Sequence, residues 1–225
     1  MRKGIHNNKF SVHTIAGTHV VTLAFDAIEK ETKDLLGFAI YRTKCDNNGK
    51  EKEPGDWMKG YKPFKEVVPD PKPKVKYPTN EHPIQSFVWA DFAVEPGNIY
   101  KYKVVPVFNK PLDLKYGDEL KITVKVEPLG DKKHEIHFNR GTAASQAYAE
   151  RFDNLAPNDK SLTEKEKQER LTWLSRGLFK AVCSFIRQAK GNGWGLRAAL
   201  YELDQLDVMK EFKDAQDNGA DVKII

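Results

Sequence analysis

The chain has 225 residues, 40% of them apolar and 31% charged, a balance that excludes both a wholly disordered polymer and an oily membrane protein. Thirty-seven Lys and Arg against 32 Asp and Glu leave a net charge of +5. Cut at Gly130, the first part holds 21 basic and 17 acidic residues and the second 16 and 15, so neither part has the concentrated charge of a dedicated nucleic-acid binder.

Residues 1–12 are polar and read as an N-terminal tail. Residues 13–130 carry eleven of the 12 prolines and read as strands. Alternation predicts strands over 19–25, 36–42, 85–92, 99–108 and 120–126. Between them, residues 45–82 form a Pro- and Lys-rich stretch with too little apolar surface for a strand pair, and read as a long insertion. Its lysines 62, 65, 72, 74 and 76 could touch phosphates or lipid headgroups, although a solvated loop is the simpler reading.

Past Gly130 the pattern turns to alternating strands and helices. A short strand is expected over 134–138, a turn at Asn139-Arg140-Gly141, and a helix over 142–152 with Ala143, Ala144, Ala147 and Tyr148 on one side. Ser161-Leu-Thr-Glu164 has the spacing of a capping box. Leu171, Leu174, Leu178, Val182, Phe185 and Ile186 then recur at helical spacing in one long helix that stops at Gly191-Asn-Gly193. Residues 194–203 read as a strand. Asp204 is expected to cap a helix with Leu206, Met209 and Phe212 on one face, followed by a strand from Ala220. This order implies parallel strands joined by crossovers, with helical cover needed on both faces. No apolar run reaches the roughly 18 residues of a membrane helix, and no signal-peptide pattern is present. Cys45 and Cys183 are too few and too distant for a disulfide framework or a zinc site, so a cytoplasmic location is the simplest expectation.

Two stretches carry resemblances. Val94-Glu-Pro-Gly-Asn-Ile-Tyr100 with its alternating continuation, Trp89, and Gly37-Phe-Ala-Ile-Tyr-Arg42 are similar to a fibronectin type III module, which implies an all-β sandwich over residues 13–130. In that module the tyrosine four residues after the proline ties its hydroxyl to backbone at a corner. His137-Phe-Asn-Arg-Gly141, Leu174-Ser-Arg-Gly177 and Trp194-Gly-Leu-Arg-Ala-Ala-Leu-Tyr-Glu-Leu203, continued by residues 208–225, resemble the first part of a bacterial phospholipase D-superfamily domain. The expected fold is therefore a two-domain chain, a fibronectin type III-like sandwich followed by an incomplete phospholipase D-like α/β domain over 131–225.

That resemblance implies phosphodiester hydrolysis in the complete protein, on lipid or nucleic acid, with no metal or organic cofactor. The chemistry belongs to a His-x-Lys-x-x-x-x-Asp motif, in which His attacks phosphorus and Lys holds the phosphoryl charge. None of the six histidines has a Lys two residues on, so no catalytic residue is assigned and the chain alone is expected to be inactive. A partner chain or a second copy could complete the α/β domain. The rival readings are a non-enzymatic protein- or glycan-binding module and a nucleic-acid-binding accessory protein.

The phosphate-binding candidates are His137, Asn139, Arg140 and Gly141, because a helix start beside a guanidinium fork suits an anion. The bland alternative is a permissive glycine turn with Arg140 on a carboxylate. Tyr201 and Glu202, at the end of the following strand, are candidates near the same crevice, although strand-end carboxylates are more often solvated. Ser145 and Ser175 lack a nearby base, which argues against a nucleophilic serine.

Overall fold

The computed structural model describes residues 1–131, 133–140 and 146–225, and the chain divides into two compact units, Met1–Glu135 and Ile136–Ile225. The first unit is built from β1 (Arg2–His6), β2 (Phe10–Ala16), β3 (Val21–Ala27), β4 (Leu35–Cys45), β5 (Asp56–Trp57), β6 (Lys59–Gly60), β7 (Tyr77–Pro78), β8 (Val88–Asp91), β9 (Ile99–Lys110), β10 (Asp113–Tyr116) and β11 (Leu120–Lys125). One antiparallel sheet runs β1-β2-β3-β8. The other runs β10-β9-β4-β5, with β11 also paired to β9.

Period-two patterning explains why these segments are strands. Phe10, Val12, Thr14 and Ala16 of β2 are buried, as are Val21, Leu23 and Phe25 of β3, with more exposed residues between them. From the second sheet, Ile40, Tyr102, Val104 and Ile122 enter the same core, making a sandwich of two facing sheets. Each fully buried side chain of this size contributes about 1.5–3 kcal/mol.

Residues 1–12 are not a tail. Arg2–His6 pairs antiparallel with β2 from Arg2↔Ile15 to His6↔Ser11, because Phe10 and Val12 already belong to the core and hold β2 as a template. The Met1 ammonium also pairs with Glu127 and donates to the Ala16 carbonyl at 2.8 Å.

The insertion is also more ordered than its composition suggests. Ile84, just past its end, exchanges backbone hydrogen bonds with Phe38 at 3.0 and 2.9 Å, and within it the Met58 amide donates to the Ile40 carbonyl at 2.7 Å. Thr79 imitates a strand partner with its side chain alone. Its hydroxyl accepts from the Ile40 amide at 2.9 Å and donates to the Ile40 carbonyl at 3.1 Å. The insertion therefore closes the outer edge of β4, which would otherwise present unpaired backbone. Its own anchors are Phe64, Thr79 and His82, all buried, with the Phe64 amide donating to His82 Nδ1 at 3.1 Å. The five lysines named above lie on its exposed positions.

Two polar features organise the sandwich. The Glu95 amide donates to the Tyr100 hydroxyl at 3.1 Å, the corner expected from its spacing to Pro96. Asp91, 1% exposed, accepts from Arg42 Nη1 at 3.0 and 2.8 Å, from the Tyr102 hydroxyl at 2.8 Å and from the Ala93 amide at 3.0 Å. Desolvation alone would lower the Arg42 pKa; Asp91 outweighs it and raises it. Burial, followed by Asp91, pushes the Tyr102 phenol far up.

The second unit contains α1 (Gln146–Phe152), α2 (Glu164–Ser175), α3 (Leu178–Ile186), β12 (Gly195–Ala198), α4 (Leu206–Asp217) and β13 (Asp221–Ile224). The predicted parallel pairing holds, with Gly195↔Asp221 through Ala198↔Ile224 in register. Ile186, Leu196, Phe212, Ala215 and Ala220 form the core here.

Several local expectations are corrected. The expected strand over 134–138 is replaced by a single bridge, Gly130↔Glu135, and residues 136–140 have no regular structure. The single long helix is two, because Arg176 (φ 48°) and Gly177 (φ 86°) are both left-handed and interrupt the hydrogen-bond ladder. The capping box sits two residues later than expected, on Thr163 and Glu166, since Ser161 is engaged by Asp159 at 2.6 and 2.8 Å. The N-cap of α4 is Gln205, not Asp204. Its buried face is Phe212 and Ala215, leaving Leu206 and Met209 exposed. The strand expected over 194–203 is only the four residues of β12. Its pair with β13 buries one face, while Gly195, Arg197, Asp221 and Lys223 share the other, where Arg197 and Asp221 pair. Such a face suits water rather than a second helical layer. Among the described residues no helix is long and apolar enough to cross a membrane.

Candidate functional site

The chain entering the second unit runs as an irregular segment toward the C-terminal end of α2. A helix leaves its last carbonyls without intrahelical donors, and cations are favoured at that end. Arg140 meets both needs. Its backbone amide donates to the Leu174 carbonyl at 2.7 Å, and its Nε donates to the Trp173 carbonyl at 2.8 Å. The guanidinium carbon sits 4.1 Å from the centroid of the Trp173 ring, a cation–π contact that fixes the plane of the fork. Arg140 therefore caps α2 instead of sitting on a carboxylate, which neither of the two sequence readings contained.

Trp173 is held in turn. Its ring lies 5.7 Å from Phe152 and 5.9 Å from Tyr148, both edge-on, and Tyr148 donates its hydroxyl to the Leu155 carbonyl at 2.7 Å. Arginines surround this aromatic trio. Arg170, 8% exposed, lies 4.9 Å over Phe152 and donates Nη1 to the Glu166 carbonyl at 3.1 Å, while its Nε has no acceptor among the described residues. Arg151 lies 5.4 Å over Phe152 and pairs with Glu169 at 3.4 Å.

Arg176, the left-handed C-cap of α2, completes the cluster. Burial and then the charge of Arg151 lower the Arg140 pKa; burial and then the charge of Arg140 lower that of Arg176. Both guanidiniums remain protonated at any working pH, because arginine does not deprotonate in proteins. Chemically, the arrangement is a half-buried cationic surface with rigidly held N–H donors, and the described residues that form it, Arg140, Arg151, Arg170, Arg176 and the aromatic trio, supply no activated nucleophile.

Of the predicted phosphate candidates, Arg140 and Asn139 are adjacent in the irregular segment and His137 is half-buried just before them. Gly141 lies outside the described residues, as do Thr142, Ala143, Ala144 and Ser145. Tyr201, fully exposed, and Glu202, also exposed, sit between β12 and α4, and no described contact joins either to Arg140. Ser175 donates its hydroxyl to the Thr172 carbonyl at 3.2 Å, an ordinary helix back-bond. The residues missed from sequence were Trp173 and Arg176. The available signal was Ser175-Arg176-Gly177 in the middle of an apolar helical pattern, where a glycine marks a break and places the preceding side chain at a helix end.

A separate cleft of about 530 Å³ opens between α3 and α4, lined among others by Phe179, Lys180, Cys183, Arg187 and Asp207. Its charges are of mixed sign and Arg187 is paired with Glu211. Burial pushes the Cys183 thiol up, away from the reactive thiolate. Cys45 and Cys183 are both buried free thiols. No protein-family profile matches this chain, and no curated protein matches it.

Proposed function

We propose that the chain is the N-terminal portion of a phospholipase D-superfamily phosphodiesterase, a fibronectin type III-like sandwich followed by the first part of the α/β domain. The observation that carries this reading is the β12–α4–β13 unit. Here a helix ends at Gly219 (φ 96°) and leads into a strand, apolar on one face only, lying parallel to β12, the helix-then-strand order expected from the resemblance of residues 194–225. The Glu95–Tyr100 corner supports the sandwich half in the same way. The reaction is hydrolysis of a phosphodiester through a phosphohistidine, with lipid and nucleic acid both admissible substrates. The His-x-Lys-x-x-x-x-Asp motif is not among these 225 residues, so the proposed role of this portion is folding and placement of substrate or partner.

The test is to read the coding region past codon 225 and assay the complete protein on bis(p-nitrophenyl) phosphate in EDTA. One or two His-x-Lys-x-x-x-x-Asp motifs and metal-independent hydrolysis are expected. A stop codon directly after Ile225, with an intact mass of 25.7 kDa, would overturn the enzyme reading for this molecule.

A further inference from the structure

We propose that Arg140 and Arg176 together form a clamp for the phosphoryl group of a phosphate monoester at the C-terminal end of α2. The inference deepens the phosphodiesterase reading and rests on it for the choice of phosphate over other anions; the geometry stands by itself.

Four observations lead to it. Arg140 uses only Nε for capping, so among the described residues its Nη1 and Nη2 groups donate to no acceptor. Arg176 forms no side-chain hydrogen bond or ion pair among the described residues. Both residues are half-buried at the same end of α2, where the Arg140 amide bonds the Leu174 carbonyl and Arg176 is the C-cap two residues on, and no carboxylate pairs with either among the described residues. Arg170, buried behind the same aromatic rings with an unused Nε–H, adds positive charge.

Partial desolvation of like charges is costly without a counter-ion. The Trp173 and Leu174 carbonyls offset part of that cost from the helix side only, leaving the outward N–H groups for an anion. Guanidinium forks match phosphate oxygens in geometry and bind them with charge-assisted hydrogen bonds. Two adjacent forks suit a dianion better than a monoanion. Holding Arg176 in the left-handed region, where glycine would be relaxed, carries a backbone cost. That cost keeps a charged side chain at a position otherwise suited to Gly.

Position 176 permits a clean test. Arg176→Gly removes the charge while relieving the backbone, so a failure to fold cannot account for lost binding. Inorganic phosphate and glycerol 3-phosphate are titrated calorimetrically into the full chain at constant ionic strength, alongside Arg176→Gly and Arg140→Lys. The expected result is saturable binding of both probes by the wild type, weakened at least tenfold in Arg176→Gly and less severely in Arg140→Lys, which keeps the charge but loses the fork. No binding of glycerol 3-phosphate, or unchanged affinity in Arg176→Gly, would overturn the clamp. Neither result touches the phosphodiesterase reading, which stands or falls on the motif beyond codon 225.

Discussion

Replacing Asp91 with Ala should be the most damaging single polar change in the sandwich. The carboxylate is 1% exposed and satisfies two contacts from Arg42 Nη1, the Tyr102 hydroxyl and the Ala93 amide. Truncation leaves the Tyr102 hydroxyl, itself 0% exposed, without its acceptor, and leaves a guanidinium with only partial access to water. Removing one member of a buried pair costs about 3–5 kcal/mol, because the partner's desolvation is no longer offset. Arg42 can turn its exposed side toward solvent, so the lower half, about 3–4 kcal/mol, is expected. For a unit of this size that corresponds to a drop of roughly 10–15 °C in melting midpoint. The cleanest assay is hydrogen exchange by mass spectrometry on peptides from β9, which reports opening of the sandwich without interference from the second unit. Tyr102→Phe should cost about 1–2 kcal/mol, and the double variant less than the sum of the two. A cost below about 1 kcal/mol for Asp91→Ala would refute the reasoning, since it would mean the network is wet or redundant.

Gly37 lies at a β-bulge with φ 142°, and a Cβ there would meet the Ile84 carbonyl oxygen at 2.2 Å, so Gly37→Ala should destabilise the sandwich by about 3 kcal/mol or more, read by chemical denaturation. His82 is buried between Phe64 and Tyr77 and its pKa is lowered by burial, with Glu81 opposing. The folded state therefore prefers the neutral ring; its contribution is complete above the ordinary value of 6.5 and is lost as pH falls below it. Protection of peptides from the insertion should fall between pH 7.5 and 5 in the wild type, and this pH dependence should be absent in His82→Gln. Thr163→Ala removes the half of the α2 capping box in which the Thr163 hydroxyl accepts from the Glu166 amide and should cost about 1 kcal/mol, seen as faster exchange in the first turn of α2 and not elsewhere.

Strands with strict alternation were legible in the sequence because a half-buried sheet enforces period two. The β3, β4, β9 and β11 segments were located this way to within a few residues. β1 was illegible because Arg2–His6 has almost no apolar pattern of its own; it exists as an edge strand templated by β2. The insertion misled through its composition, since Met58 and Thr79 contribute hydrogen bonds to β4 that no hydropathy pattern records. In the second unit, the apolar spacing across Leu174 and Leu178 is helical on both sides of Arg176-Gly177, and periodicity alone does not register a two-residue reversal. Arg140 was singled out as a phosphate-binding candidate beside a helix start, whereas its guanidinium lies at a helix end, on the Trp173 carbonyl. Its capping of a helix more than thirty residues away depends on tertiary placement and has no local signature.

The insertion's attachment to β4 has a consequence for how the polypeptide can be cut. Residues 69–76 are all exposed, whereas the chain on either side is fastened by Phe64, Thr79, His82 and Ile84. A protease nick after Lys74 would give fragments 1–74 and 75–225, yet the β3–β8 and β4–β9 ladders each have one strand on either fragment. The halves should stay together as a non-covalent complex and reassemble from separate polypeptides. The same crest would then accept a foreign domain, making the sandwich a natural split-protein scaffold.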